Sequence, residues 1–171
     1  KDIGAVDVLV NNAGITRDKP LHRMEKQQWD DVIRTNLDSV FNMTRLCIDT
    51  MRNNGFGRII SVSSINGRKG QFGQANYSAA KAGLLGFTKA VALEGAAKGI
   101  TCNVIAPGYI NTEMVQAVPK EVLDTKILPL IPTGRLGTAE EIARCVTFLA
   151  ADDAGFITGA CLDANGGQYM A

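Results

Sequence analysis

The chain has 171 residues, 46% of them apolar and 20% charged, with a net charge of +1. This describes a globular protein of single-domain length, with volume for a core, and it excludes the concentrated basic surface that nucleic acid or an anionic membrane requires. No apolar run approaches the ~18 residues of a membrane span. KDIGAVDVLV at the amino terminus lacks the parts of a signal peptide, so a cytoplasmic location with no membrane partner is expected. Cys47, Cys102, Cys145 and Cys161 form no CxxC pair and read as reduced core residues, and His22 is the only histidine. No metal site is expected from that inventory.

The first residues read as the end of a helix. VDVLVNNAG (6–14) is a β-branched run closed by Asn-Asn-Ala-Gly, which predicts a buried strand and a tight loop. Between Trp29 and Met51 apolar residues recur at spacings of three and four, a long helix that should stop at Asn53-Asn54-Gly55. GRIISVSS (57–64) is a second buried strand, followed by a Gly-rich loop over 65–73. QANYSAAKAG (74–83) opens a helix running to about Lys98-Gly99, and ITCNVIAPG (100–108) is a third strand. Pro107, Pro119, Pro129 and Pro132 mark 109–137 as a broken, mobile region with at most short helices. Thr138-Ala-Glu-Glu141 is a capping box that starts an amphipathic helix, and GFITGACLDANGG (155–167) holds the last strand.

Strands alternating with helices predict an α/β protein with a doubly wound parallel sheet, Rossmann-like, in one domain over residues 1–171. A dinucleotide fold of this type opens with strand, Gly-rich turn and helix, but no GxGxxG is present. The amino-terminal nucleotide-binding half is therefore expected to be lacking. About three strand–helix units, ~75 residues, have no counterpart.

Tyr77 and Lys81 stand four apart, so a helix places phenol and ammonium on one face among Ala, Ser and Gly. A nearby ammonium favours the phenolate and brings the phenol closer to acid–base use at neutral pH. Taken alone, the pair could equally be surface packing of a cation on a ring. Ser64 falls at a strand's carboxyl edge, where ligands of open α/β sheets bind; the blander alternative is a hydroxyl capping its own backbone. Asn36 interrupts the apolar stripe of the long helix, either kinking it or holding a water, or else as a solvated or locally bonded amide. NNAG (11–14) and Pro107-Gly108 also fall at strand ends, and a shared edge lifts the set above its members.

VNNAGITRD, TNLDSVF, SVSSINGRKGQFGQANYSAAKAG, NVIAPGYINTEM, GRLGTAEEIA and ITGACLDANGG resemble the short-chain dehydrogenase/reductase family over essentially all of the chain. The joint spacing of Asn36, Ser64, Tyr77 and Lys81 is specific to that family. Within it the chain is most similar to the acetoacetyl-CoA reductases of bacterial polyhydroxybutyrate synthesis, with 3-oxoacyl-acyl-carrier-protein reductases second. The resemblance implies that Tyr77 donates a proton to the forming alkoxide, Lys81 lowers its pKa and binds the nicotinamide ribose, Ser64 polarises the ketone, and Asn36 holds a relay water. It further implies a cofactor, NADPH with NADH as the open alternative, against Asn12, Ala13, Gly14, Ile15, Thr16, Tyr77, Lys81, Pro107, Gly108, Tyr109, Ile110 and Thr112. The acyl thioester substrate, on CoA or on acyl-carrier protein, would meet Asp18, Gln71, Phe72, Gly73, Gln74 and Tyr109. A basic patch for acyl-carrier protein could draw on Arg17, Arg23, Arg68 and Lys69. A homotetramer is implied too, its two-fold contacts made by helices 25–52 and 77–98. A non-catalytic binding or scaffold member of the family is the reading from another class.

Overall fold

Four short strands lie side by side in the order in which the chain makes them, all parallel: β1 (Val8–Asn11), β2 (Gly57–Val62), β3 (Ile100–Pro107) and β4 (Cys161–Ala164). The structure is a computed structural model and describes residues 4–171; the helix end expected at the start of the chain falls partly on residues 1–3, outside the described residues. Register follows Leu9 opposite Ile59, Ile59 opposite Cys102 and Ile105 opposite Leu162.

Successive side chains of a strand point to opposite faces, so Ile59 and Ile60 serve two different cores. Ile59 joins Leu9, Met51, Val91, Ile100 and Cys102 beneath α2 (Ser39–Asn54) and α4 (Ala75–Gly95). Ile60 joins Ile105 and Leu149 beneath α7 (Ala139–Ala150). Helices thus cover both faces of β2 and β3, as their near-continuous apolar runs require, whereas β1, expected to be buried, is covered only on its Leu9 face and leaves Val8 and Val10 exposed. Of the four thiols only Cys102 is fully buried, and Cys47, Cys145 and Cys161 lie at the margins.

The long helix is not uniform. α1 (Lys26–Ile33) passes through a π-helical turn at Arg34–Asp38 into α2, which stops at the left-handed Gly55. The loop expected over 65–73 contains a helical turn, α3 (Ile65–Lys69), because Ser64 caps its amino terminus. The Pro-rich region folds as α5 (Glu113–Gln116), α6 (Lys120–Val122) and further turns up to Leu130. The capping box forms: Glu141 N–H donates to Thr138 Oγ1 at 3.3 Å, and Thr138 N–H to Glu141 Oε2 at 2.9 Å.

The last strand is shorter than expected. Asn103 explains it: its amide donates to the Ile157 carbonyl at 2.7 Å and accepts from Ala160 N–H at 3.0 Å, so the segment before β4 is held by a side chain. Arg58, buried, ties the end of α7 to the sheet. Its guanidinium donates to the carbonyls of Ala151, Gly57, Gly99 and Asp152 at 3.0–3.3 Å and lies over Phe56. Hydrogen bonds from a charged donor are worth about 1.5–3 kcal/mol each, which offsets the cost of burying it.

Candidate active site

The carboxyl ends of β1, β2 and β3 open on one crevice. After β2, Ser63 donates its hydroxyl to the Lys81 carbonyl at 2.7 Å and so pins α4 at the residue carrying the ammonium. Ser64 lies two residues beyond the strand. Its Oγ accepts from Asn66 N–H at 3.1 Å, so the capping role is real. The same hydroxyl stands near enough to the Tyr77 phenol to pull its pKa down. A Cβ on Gly67 would come within 2.8 Å of the Lys81 backbone, so only glycine lets α3 lie this close on α4.

Tyr77 and Lys81 share the crevice face of α4, with Lys81 Nζ 5.7 Å from the phenol ring centroid. The ammonium donates to the Val62 carbonyl at 2.7 Å. Asn76, fully buried, fixes the start of the helix through its amide, which donates to the carbonyls of Arg17 and Gln28 at 3.0 Å each.

Burial pushes the Tyr77 phenol above its ordinary value; the Ser64 hydroxyl pulls it down and the Asp18 charge adds a further upward push. The lowering expected from Lys81 is absent from this arrangement, because desolvation is the larger influence and the ammonium is turned to Val62. Burial lowers Lys81 itself from 10.5 to about 8. The unfolded chain therefore holds this proton more tightly than the folded one. Folding bears the full cost of the buried charge, about 3 kcal/mol, below pH 8, and the cost fades as pH rises toward 10.5. Lys81→Met removes it. In urea unfolding of the full-length enzyme, the stability of Lys81→Met relative to the parent should fall by up to ~3 kcal/mol between about pH 7 and about pH 10. A difference independent of pH would place the shifted proton elsewhere.

Asn36 is fully buried in the π-helical turn, a feature frequent at functional sites. Its side chain is neither solvated nor locally bonded: Oδ1 accepts from Ile15 N–H at 2.8 Å, and Nδ2 donates to the Ile15 carbonyl at 2.9 Å. The amide therefore clamps the loop after β1.

Two cavities meet at this point. One, of about 460 Å³, is lined by Asn12, Gly14, Ser64, Tyr77, Lys81, Pro107, Gly108 and Thr112, together with Val62, Ser63 and Glu113. The other, of about 380 Å³, is lined by Thr16, Asp18, Gln71, Phe72, Gln74 and Tyr109, with Ser64, Asn66, Tyr77, Gly108 and apolar Ile65, Val115, Val118 and Ile127. Ser64, Tyr77 and Gly108 belong to both. Of the expected cofactor residues, Ala13 and Ile15 line neither cavity, while Ile110 lies in a separate hollow beside the carboxyl-terminal tail. Gly73 turns the chain at φ 80, and its carbonyl accepts from Lys19 N–H at 2.8 Å.

The first cavity fits a flat heteroaromatic ring carrying a sugar. A Cβ at Gly14 would come 3.4 Å from Lys81 Nζ, so glycine leaves that wall open, and the donors facing it are an ammonium and hydroxyls. In the second, Asp18 accepts from Gln74 Nε2 at 2.8 Å, and Gln74 Oε1 accepts from Asn66 Nδ2 at 2.9 Å. Ser63, Asn66, Asn76 and Glu113 are the residues that sequence reasoning missed. Asn76 had a signal, since it heads the stripe Asn76–Ala80–Leu84–Thr88, which is buried. Asn66 and Ser63 had none beyond their nearness to Ser64.

A Rossmann-like sheet with a tyrosine, a lysine and a serine converging at its carboxyl edge defines a class, the oxidoreductases that move hydride and proton at a carbonyl or alcohol carbon. A family profile described as enoyl-(acyl carrier protein) reductase matches residues 1–168. The acetoacetyl-CoA reductase of Rhizobium meliloti is 67% identical over 170 residues, 99% of this chain and 70% of that protein. The acetoacetyl-CoA reductase of Shinella zoogloeoides is 64% identical over 169 residues, again 99% and 70%. The 3-oxoacyl-[acyl-carrier-protein] reductase of Escherichia coli is 52% identical over 169 residues, 99% of this chain and 69% of that protein. The chain belongs to the short-chain dehydrogenase/reductase family. No helix among the described residues is long and apolar enough to cross a membrane.

Proposed function

We propose that the enzyme reduces a 3-oxoacyl thioester with NADPH, acetoacetyl-CoA to 3-hydroxybutyryl-CoA above others, as a cytoplasmic step of polyhydroxybutyrate synthesis. Residues 1–171 are then the carboxyl-terminal part of its single domain. The observation that carries this reading is the meeting of the two cavities at Ser64 and Tyr77. NADPH, when bound, supplies a hydride to the ketone carbon. Ser64 donates a hydrogen bond to the ketone oxygen, and Tyr77 gives that oxygen its proton, so the product is the alcohol and Tyr77 is left as phenolate. Lys81 stabilises that phenolate and holds the sugar hydroxyls through the N–H groups its bond to the Val62 carbonyl does not use. Asn36 keeps the loop after β1 in place.

Asp18 supports a substrate whose acyl end is uncharged, as a thioester's is. Its carboxylate repels a free 3-oxo acid but accepts an amide N–H or hydroxyl, while Val115, Val118 and Ile127 suit a short acyl chain. The second reading, an acyl-carrier-protein substrate, rests on the Escherichia coli relative. It loses part of its basic patch, because Arg68 faces Asp163. Exposed Phe41, Met43 and Leu46 on α2 and Leu93 on α4 support the homotetramer.

The deciding experiment measures kcat/KM of the full-length enzyme with acetoacetyl-CoA and acetoacetyl-acyl-carrier protein, each with NADPH and NADH. The CoA thioester with NADPH should lead by at least about tenfold, ~1.4 kcal/mol in the transition state. A reversed order would move the assignment to the acyl-carrier-protein reductases.

A further inference from the structure

α3 has five residues, too few for a helix to persist on its own. Its front end is capped by Ser64, and its middle rests on α4 through Gly67. Its rear end carries Arg68, a residue with no part in the chemistry above. The Arg68 guanidinium lies 3.5 Å from the Asp163 carboxylate on β4, with the two side chains only 16% and 20% exposed. It also lies 5.3 Å from the ring centroid of Tyr169 in the carboxyl-terminal tail.

That tail has a fixed shape. Asn165 Oδ1 accepts from the N–H groups of Gly167 and Tyr169 at 3.1 and 3.3 Å, and its Nδ2 donates to the Tyr169 carbonyl at 3.0 Å. An exposed ion pair contributes little. This one is mostly out of water, and a guanidinium can pair with a carboxylate while stacking on a ring, which an ammonium does less well.

We propose that Arg68 is a positioning residue: by clamping the rear of α3 to β4 and the carboxyl-terminal tail, it holds the Ser64 hydroxyl beside Tyr77. The link is short. Gly70 N–H bonds the Asn66 carbonyl at 3.0 Å, and Asn66 N–H is the donor that fixes Ser64 Oγ. Asn66 Nδ2 also orients Gln74, hence Asp18, so fraying at the rear of α3 disturbs both the hydroxyl and the substrate cavity. The effect on turnover rests on the reading of Ser64 as the group that polarises the ketone.

The test is Arg68→Met in the full-length enzyme, read by kinetics, NADPH affinity and amide hydrogen exchange. We expect kcat to fall by ~10- to ~10²-fold, a misplacement of a catalytic group by about 1 Å costing up to ~10², with the dissociation constant for NADPH unchanged within about twofold. Exchange at residues 64–74 should quicken about tenfold while β2 and β3 keep their protection. Asp163→Asn should act in the same direction, and adding it to Arg68→Met should cost nothing more. Arg68→Lys should recover only part of the lost turnover, since an ammonium can pair with Asp163 but stacks less well on Tyr169. Unchanged kcat and exchange in Arg68→Met would overturn the proposal, and so would faster exchange across the whole sheet, which marks damage to the fold. Ser64→Ala separates the two readings: full turnover there, with 64–74 still loosened by Arg68→Met, keeps the clamp and removes Ser64 from the chemistry.

Discussion

Tyr77→Phe in the full-length enzyme should lower kcat for ketone reduction by at least ~10², the scale of lost general-acid catalysis. The ring remains, so packing against α4 and cofactor affinity should change little. The direction of the Tyr77 shift sharpens the expectation. Burial, the leading influence, raises the phenol, Asp18 raises it further, and only Ser64 pulls it down. The phenol is therefore protonated at neutral pH, the state an acid needs to deliver a proton to an alkoxide. Reduction should hold its rate through neutral pH, and the reverse oxidation, which requires the phenolate, should accelerate as pH rises. Stopped-flow traces of NADPH consumption and formation, compared between parent and mutant, check both statements. Near-normal turnover in Tyr77→Phe would remove Tyr77 from the mechanism.

How much of this was legible in the sequence depended on whether the signal was local. The β-branched runs at 57–64 and 100–108 announced strands because burial on both faces leaves no room for polar alternation, and the run at 6–14 announced a third although only its alternate residues are buried. Thr138 and Glu141 announced a helix start because capping involves only neighbours in the chain. The i,i+4 spacing of Tyr77 and Lys81 put both groups on one face, which is a property of any helix.

What could not be read were partners far apart in sequence. Asn36 looked like a solvated or kinking amide, yet it is spent on the backbone of Ile15, 21 residues away. Lys81 looked like a neighbour of the phenol, yet its ammonium sits on the Val62 carbonyl, 19 residues away. Arg68 read as one member of a basic patch, and only the pairing of β3 with β4 brings Asp163 beside it. Burial likewise reversed the expected direction for Tyr77. Desolvation is set by the whole fold and leaves no mark on neighbouring residues.

The polypeptide of residues 1–171 expressed alone should be aggregation-prone or partly unfolded and should not bind NADPH measurably. Among the described residues β1 has a strand partner on one side only. Val6, Val8 and Val10 beside that edge are 43%, 41% and 40% exposed. Parallel strands are stable when paired and covered on both sides, and an apolar open edge invites pairing with other chains. Half-burying three valines is worth ~3 kcal/mol, a large share of the about 5–15 kcal/mol that separates a folded domain from its unfolded state. Cofactor binding should fail for a separate reason: no Gly-rich turn opening a helix is present to hold a pyrophosphate through backbone amides. The acetoacetyl-CoA reductases above have the further length to supply both, since this chain spans 70% of each. Sedimentation, urea unfolding and nicotinamide fluorescence on the 171-residue polypeptide make the comparison. A soluble 18.2 kDa species that unfolds cooperatively and reduces acetoacetyl-CoA would show that neither the open edge nor the lacking pyrophosphate cradle matters.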